Sequence, residues 1–104
     1  MTLPDGLLAA ARNYLDITWP DPDGDEKLSG ILKRGIQYLN GVAGTALDFA
    51  IEDTPRALLL DYARYVRAEA LDEFQSNYLH ELLNLQIREE AARVETERQQ
   101  AADV

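Results

Sequence analysis

The segment that opens at Thr54-Pro55 restricts this chain more than any other. Threonine suits the N-cap and proline the first helical position, so a helix is expected from there to about Tyr78. Leu58, Leu59, Tyr62, Ala63, Val66, Ala70, Leu71 and Phe74 cover well over a third of that helix. A stripe so broad cannot be buried against a single neighbour and needs several elements around it. Asp61, Arg64, Ala68 and Asp72 fall on the remaining side, flanked by Arg67, Glu69 and Glu73. The segment is thus the core of a helical bundle rather than a surface helix.

The neighbours are visible on either side. Leu7, Ala10, Ala11, Tyr14 and Ile17 recur at three- and four-residue steps, which predicts a first helix over about Leu3–Ile17, with Pro4 tolerated in its first turn. Thr18-Trp-Pro-Asp-Pro-Asp-Gly24 ends it. Asp25 is expected to cap a second helix, along which Leu28, Ile31, Leu32, Gly35, Leu39 and Val42 form a seam, with Gly41 and Gly44 suited to its end. Gly30 and Gly35 each cost a helix interior up to about 1 kcal/mol relative to alanine. Gly35 lies on the seam, where close approach of another helix is the natural compensation.

Leu47, Phe49 and Ile51 alternate with other residues, a strand-like period. An isolated strand is unstable, so Thr45–Asp53 is read as an extended connection covering the core. A short strand paired with a neighbouring subunit is the alternative. After Leu79, the positions Leu82, Leu83, Gln86 and Ile87 continue at helical spacing. The stretch Arg88 to Gln100 has no large apolar residue except Val94. Glu89–Arg93 and Arg93–Glu97 stand four apart, which predicts a solvated helical extension supported by about 0.2–0.5 kcal/mol per pair. The expected architecture is all-α: a small bundle of about four helices with a long central helix, residues 1–87, and a charged helical or disordered tail, residues 88–104.

A chain of 104 residues has room for one modest core. Cysteine is absent, which removes disulfides, thiolate metal sites and thiol nucleophiles together. No apolar run approaches a membrane span and no leader-like segment is visible, so a soluble protein made in the cytosol is expected. Nineteen acidic residues against ten basic ones give a net charge of −9. Phosphate backbones bind where Lys and Arg displace counterions, so this balance disfavours nucleic-acid recognition.

The motifs that could carry chemistry have plainer readings. Asp21-Pro-Asp-Gly-Asp25 suggests alternate carboxylates around calcium. Its glycine, however, falls fourth rather than sixth, and Leu32 stands where a bidentate glutamate is needed. An acidic turn with a helix cap is the better account. His80, the one histidine, has no nucleophile or orienting partner beside it and reads as a surface or interface residue. No phosphate loop, nucleophile elbow or zinc spacing occurs. Neither a catalytic set nor a cofactor or metal is therefore expected. Tyr62 and Tyr65 with Arg64 and Arg67 mimic a basic-aromatic nucleic-acid face, but Asp61, Glu69, Asp72 and Glu73 cancel the charge. Core tyrosines with Arg–carboxylate pairing fit better. Trp19 is read first as a lid on the core, with an exposed interface anchor as the alternative.

The order of features along the chain carries a resemblance. Asn13-Tyr-Leu-Asp-Ile-Thr-Trp19 precedes the acidic turn. Asp25-Glu-Lys-Leu-Ser-Gly-Ile31, Arg34-Gly-Ile-Gln-Tyr-Leu-Asn40 and Ala43-Gly44 follow it. After Asp48-Phe49 and Thr54-Pro55 come Leu58-Leu-Leu-Asp-Tyr-Ala-Arg-Tyr-Val-Arg67, Ala70-Leu-Asp-Glu-Phe74 and Asn77-Tyr78. Over roughly residues 7–87 the chain resembles the head-tail connector, or head-completion, proteins of tailed phages and prophages, the type attached below the portal. The tail after Arg88 lies outside the resemblance.

The resemblance implies a structural virion protein of the neck, assembled in the host bacterial cytoplasm. Its partners would be further copies of itself in a ring of about twelve, the portal protein, and a further head-completion or tail component. DNA would traverse the ring's channel without specific binding. The residues singled out for partner contact are Trp19, Arg64, Arg67, Tyr78, Ile87, Arg88, Arg93 and Val94. The competing expectation is a generic acidic helical adaptor or antitoxin-like module.

Overall fold

A computed structural model describes residues 2–102. Five helices follow one another: α1 Leu7–Tyr14, α2 Pro22–Ala43, α3 Thr54–Arg67, α4 Leu71–Asn77 and α5 Leu79–Ala102. No strand occurs among the described residues. The fold is all-α, with five helices where about four are expected. Positions 103 and 104 of the expected tail lie outside the described residues.

The extra helix comes from a break in the expected Thr54–Tyr78 element. At the end of α3 the chain turns through Glu69 with φ +57°. The Ala70 N–H donates to the Tyr65 carbonyl at 2.9 Å and the Glu69 N–H to the Val66 carbonyl at 3.1 Å. That is the paired closure of a Schellman C-terminus, with glutamate in the left-handed position that glycine usually fills. α1 ends the same way. Asp16 has φ +59°, Ile17 donates to Arg12 at 2.9 Å and Asp16 to Asn13 at 3.2 Å. The first helix is consequently shorter than expected at both ends, starting after Gly6 at φ +81°.

α2 begins four residues earlier than the Asp25 cap would place it. Asp21 is the cap: its Oδ1 accepts the Gly24 N–H at 3.0 Å, and Pro22 takes the first position. A Cβ on Gly24 would lie 2.1 Å from Asp21 Oδ2, an overlap with the end of a flexible side chain that a turn of the carboxylate relieves, since N3 of a capped helix accepts ordinary residues. Asp25 instead pairs with Arg12, tying α2 to α1. At α3 the cap is Asp53 rather than Thr54, accepting the Thr54 N–H at 2.8 Å. α2 ends where the second-helix glycines suggest, with Gly44 at φ +73°.

The long central helix is α2 rather than the expected Thr54–Tyr78 element, which is split into α3 and α4; α2 packs against α1, α3 and α5. Leu28, Ile31, Leu32, Gly35, Ile36, Leu39 and Ala43 are buried along it. α3 returns antiparallel to it: Gly35 faces Leu59 and Tyr62, and the α2 residues Leu28 and Ile31 lie beside Val66. A Cβ on Gly35 would stand 2.6 Å from Leu59 Cδ1 and 2.8 Å from Tyr62 Cδ1, the close approach its place on the seam implied. The extended connection buries Phe49 and half-buries Leu47, whose N–H donates to Asn40 Oδ1 at 2.9 Å. Ile51 does not join the core and is 54% exposed. Trp19 is not a lid on the core either, since it too is 54% exposed.

α5 runs on beyond this core, and the chain measures 55 × 30 × 19 Å. From Glu90 to Ala102 every residue is exposed. The ion pairs differ from those the four-residue spacing suggested. Arg93 meets Glu90 at 2.7 Å and Arg88 meets Glu89 at 3.4 Å. Such exposed pairs contribute little, and free choice among near-equal partners is the physical reason for the difference.

Candidate functional site

The outer face of α5 is built from the core outward. Phe74, on the short α4, sits within an aromatic cluster. Its ring centroid is 4.7 Å from that of Tyr78, 5.7 Å from Tyr62 and Tyr65, and 6.3 Å from Tyr38. Tyr78 is the single residue between α4 and α5, so its stacking on Phe74 sets where α5 begins. Leu82 and Leu85 then turn inward and are buried. Leu79, Leu83, Ile87 and Val94 point away, at 51%, 45%, 65% and 37% exposure. At 100° per residue they share an arc of about 80°, centred roughly 135° from the Leu82–Leu85 face. α5 therefore carries two apolar faces, and only one is covered within the chain.

The residues singled out for partner contact fall into several places. Ile87 and Val94 belong to this exposed stripe. Arg88 and Arg93 lie off it on the same helix, each paired with a neighbouring glutamate. Arg64 and Tyr78 are together: Arg64 Nη2 donates to the Tyr78 hydroxyl at 3.1 Å and stands 3.6 Å from Asp61. The Arg64 guanidinium also lies 5.0 Å from the Tyr65 ring centroid. Arg67 lies elsewhere, lining a groove with Lys27 and Arg34. Trp19 is on the α1–α2 connection, its carbonyl accepting from Arg12 Nη2. Leu79 and Leu83 belong to the stripe although the sequence does not mark them for partner contact. Their four-residue steps to Ile87 are legible, but Leu82 and Leu85 interleave with them, and spacing alone does not say which set faces inward.

The Arg64–Tyr78 contact continues into a polar clasp. Tyr14 on α1 donates its hydroxyl proton to Asp61, so α1, α3 and the α4–α5 junction are joined through Asp61 and Arg64. That hydrogen bond, followed by burial, raises the Tyr14 phenol above its ordinary value. Burial, then the Asp61 charge, raises Tyr78. Burial, then Tyr62, raises Tyr38.

The sign follows directly. A phenol raised in the folded state keeps its proton longer than in the unfolded chain, so its stabilising contribution is complete below the ordinary value of 10.0 and is lost as pH rises through the raised one. Thermal midpoints should therefore fall as pH is taken above about 10. Phenolate absorbance should show part of the tyrosine complement ionising late. A thermal midpoint unchanged between pH 9 and 11 (roughly the window around the free phenol) would contradict this.

His80 is exposed. Among the described residues no polar or charged side chain is buried, and no group of three His, Cys, Asp or Glu is placed to hold a metal ion. The largest crevices are surface grooves. One of about 440 Å³ is lined by Asn13, Tyr14, Glu52, Asp53 and Arg56 between α1 and α3. No described helix is long and apolar enough to cross a membrane. What the surface offers chemically is an exposed apolar stripe on α5, Leu79, Leu83 and Ile87 with Val94 beyond Glu90, flanked by charged residues. No protein-family model, curated protein or solved structure matches the chain.

Proposed function

We propose that the protein is a non-catalytic structural subunit that docks on other protein subunits, as a head-tail connector of a tailed phage or prophage. The observation that carries this reading is α5: a helix that outruns its own core while holding Leu79, Leu83, Ile87 and Val94 outward. An exposed apolar stripe on a small protein marks a surface meant to be covered. A helix whose second half is exposed throughout, bordering only the end of α2 at Ala43–Thr45, has most of its surface left for a partner. In this reading α5 seats on the portal, copies of the chain form a ring below it, and a further neck component docks beneath. The surplus of acid, with net charge −9, suits a channel wall that DNA passes without adhering.

The connector reading expects a portal gene beside this chain's own, and the test uses that portal protein with two variants that leave the buried core untouched. Ile87→Glu with Val94→Glu places two charges on the stripe, and truncation after Ile87 removes the extension. Both should weaken portal binding at least about tenfold in a pull-down titration or by interferometry. Binding undiminished in both refutes the role of α5. A wild-type chain with no affinity for the portal refutes the connector reading.

A further inference from the structure

The groove between the N-terminal half of α2 and the α3–α4 turn stands out against the charge of the whole chain. It encloses about 480 Å³ and is lined on its apolar side by Leu28, Ile31 and Val66, of which Leu28 and Ile31 are 1% and 5% exposed and Val66 is half-buried. Lys27, Arg34 and Arg67 line it, three of the ten basic residues. None of the three takes part in an ion pair among the described residues. Two carboxylates line it as well, Asp21, which caps α2, and Glu69, so the lining keeps a net charge of +1 in a chain of net charge −9. An accessible Val66 among unpaired cations fits an occupant of one kind: a carboxylate-bearing segment with one projecting apolar side chain.

The chain itself carries such a segment. Ile51 projects from the α2–α3 connection at 54% exposure, with Asp48, Glu52 and Asp53 around it, all exposed. The nearby Arg56 is turned to the Ala50 carbonyl at 3.2 Å. Groove and loop sit at opposite ends of the α2–α3 hairpin. From Ile31 to Gly44 the helix axis alone spans roughly 20 Å, so a copy cannot fill its own groove.

We propose that the Asp48–Asp53 loop of one copy seats in the Lys27–Arg34–Arg67 groove of the next, with Ile51 against Val66. The contact uses two different surfaces of each subunit, so every copy offers a free half at each end. This is the head-to-tail geometry that closes rings when the rotation permits. As a copy-to-copy contact in that ring, it rests on the connector reading above.

The absence of cysteine makes the test clean. Ala68→Cys beside the groove and Ala50→Cys in the loop, which leave the charges of both surfaces in place, are made separately, one with a size tag, mixed in equal amounts and oxidised. Both positions are exposed, so folding is spared. The mixed disulfide dimer should exceed either like pair by about tenfold, where random collision gives about twofold. Adding Lys27→Glu and Arg34→Glu to the groove variant should return the ratio to random. A random ratio from the original pair overturns the proposal, and so does a preference indifferent to the charge reversal. The two readings separate cleanly. Portal binding with random cross-linking removes the groove contact and leaves the connector standing. Biased cross-linking by a chain that never joins a portal does the reverse.

Discussion

Phe74→Ala is expected to lower the unfolding free energy by about 3–5 kcal/mol, close to the whole stability of many small domains. Phe74 is 1% exposed, and four tyrosine rings surround it within 6.3 Å. α4 has seven residues, and Phe74 is its one buried side chain. A helix that short has no stability of its own. Removing the ring leaves a cavity that the surrounding tyrosines fill poorly, because Tyr65 and Tyr78 are held by hydrogen bonds from Asn77 and Arg64, both at 3.1 Å, and Tyr62 by stacking on Tyr38 at 5.8 Å. Urea unfolding should show the loss as a lower midpoint, and near-ultraviolet circular dichroism should lose much of its tyrosine signal. A cost below about 1 kcal/mol, the range of an ordinary surface change, would mean that α4 is not anchored in this way.

Gly35→Val is expected to cost about 2–3 kcal/mol, against the direction of helix propensity. The added Cβ would lie within 2.8 Å of both Leu59 and Tyr62 side chains, and those are 0% and 7% exposed. Neither has room to yield, so α2 and α3 have to move apart along the seam that carries most of the core. Gly30 supplies the contrast within the same helix. Its nearest neighbour for an added Cβ is Arg34 Nη1 at 3.7 Å, so Gly30→Ala should gain about 0.5–1 kcal/mol. Opposite signs from two glycines five residues apart would identify the α2–α3 contact as the cause. If both substitutions stabilise, the close approach is not rigid.

Both variants also bear on docking. α5 is aimed by Tyr78 stacked on Phe74 and by Leu82 and Leu85 in the core. Loosening the aromatic cluster therefore disturbs the exposed stripe without touching it. The α5 variants with charged residues at Ile87 and Val94 should leave stability nearly unchanged while altering partner binding. That difference separates a surface that binds from a core that positions it.

The residues alone determined the helical class, the seam along α2, the close approach at Gly35 and the exposed character of the chain beyond Arg88. Each follows from local spacing or from side-chain volume, which act wherever the chain goes. Only the tertiary structure decided where α1 and α3 stop. Asp16 and Glu69 adopt left-handed backbone without the glycine that would announce it; they are held there by the capping bonds and by the packing of the next segment. Only the tertiary structure likewise chose between Leu82–Leu85 and Leu79–Leu83–Ile87 as the inward face of α5. Both sets have helical spacing, and the choice depends on how Phe74 and Tyr78 meet two helices distant in sequence. The same holds for the gathering of Lys27, Arg34 and Arg67: the three are separated along the chain, and the antiparallel return of α3 on α2 is what places them around one groove.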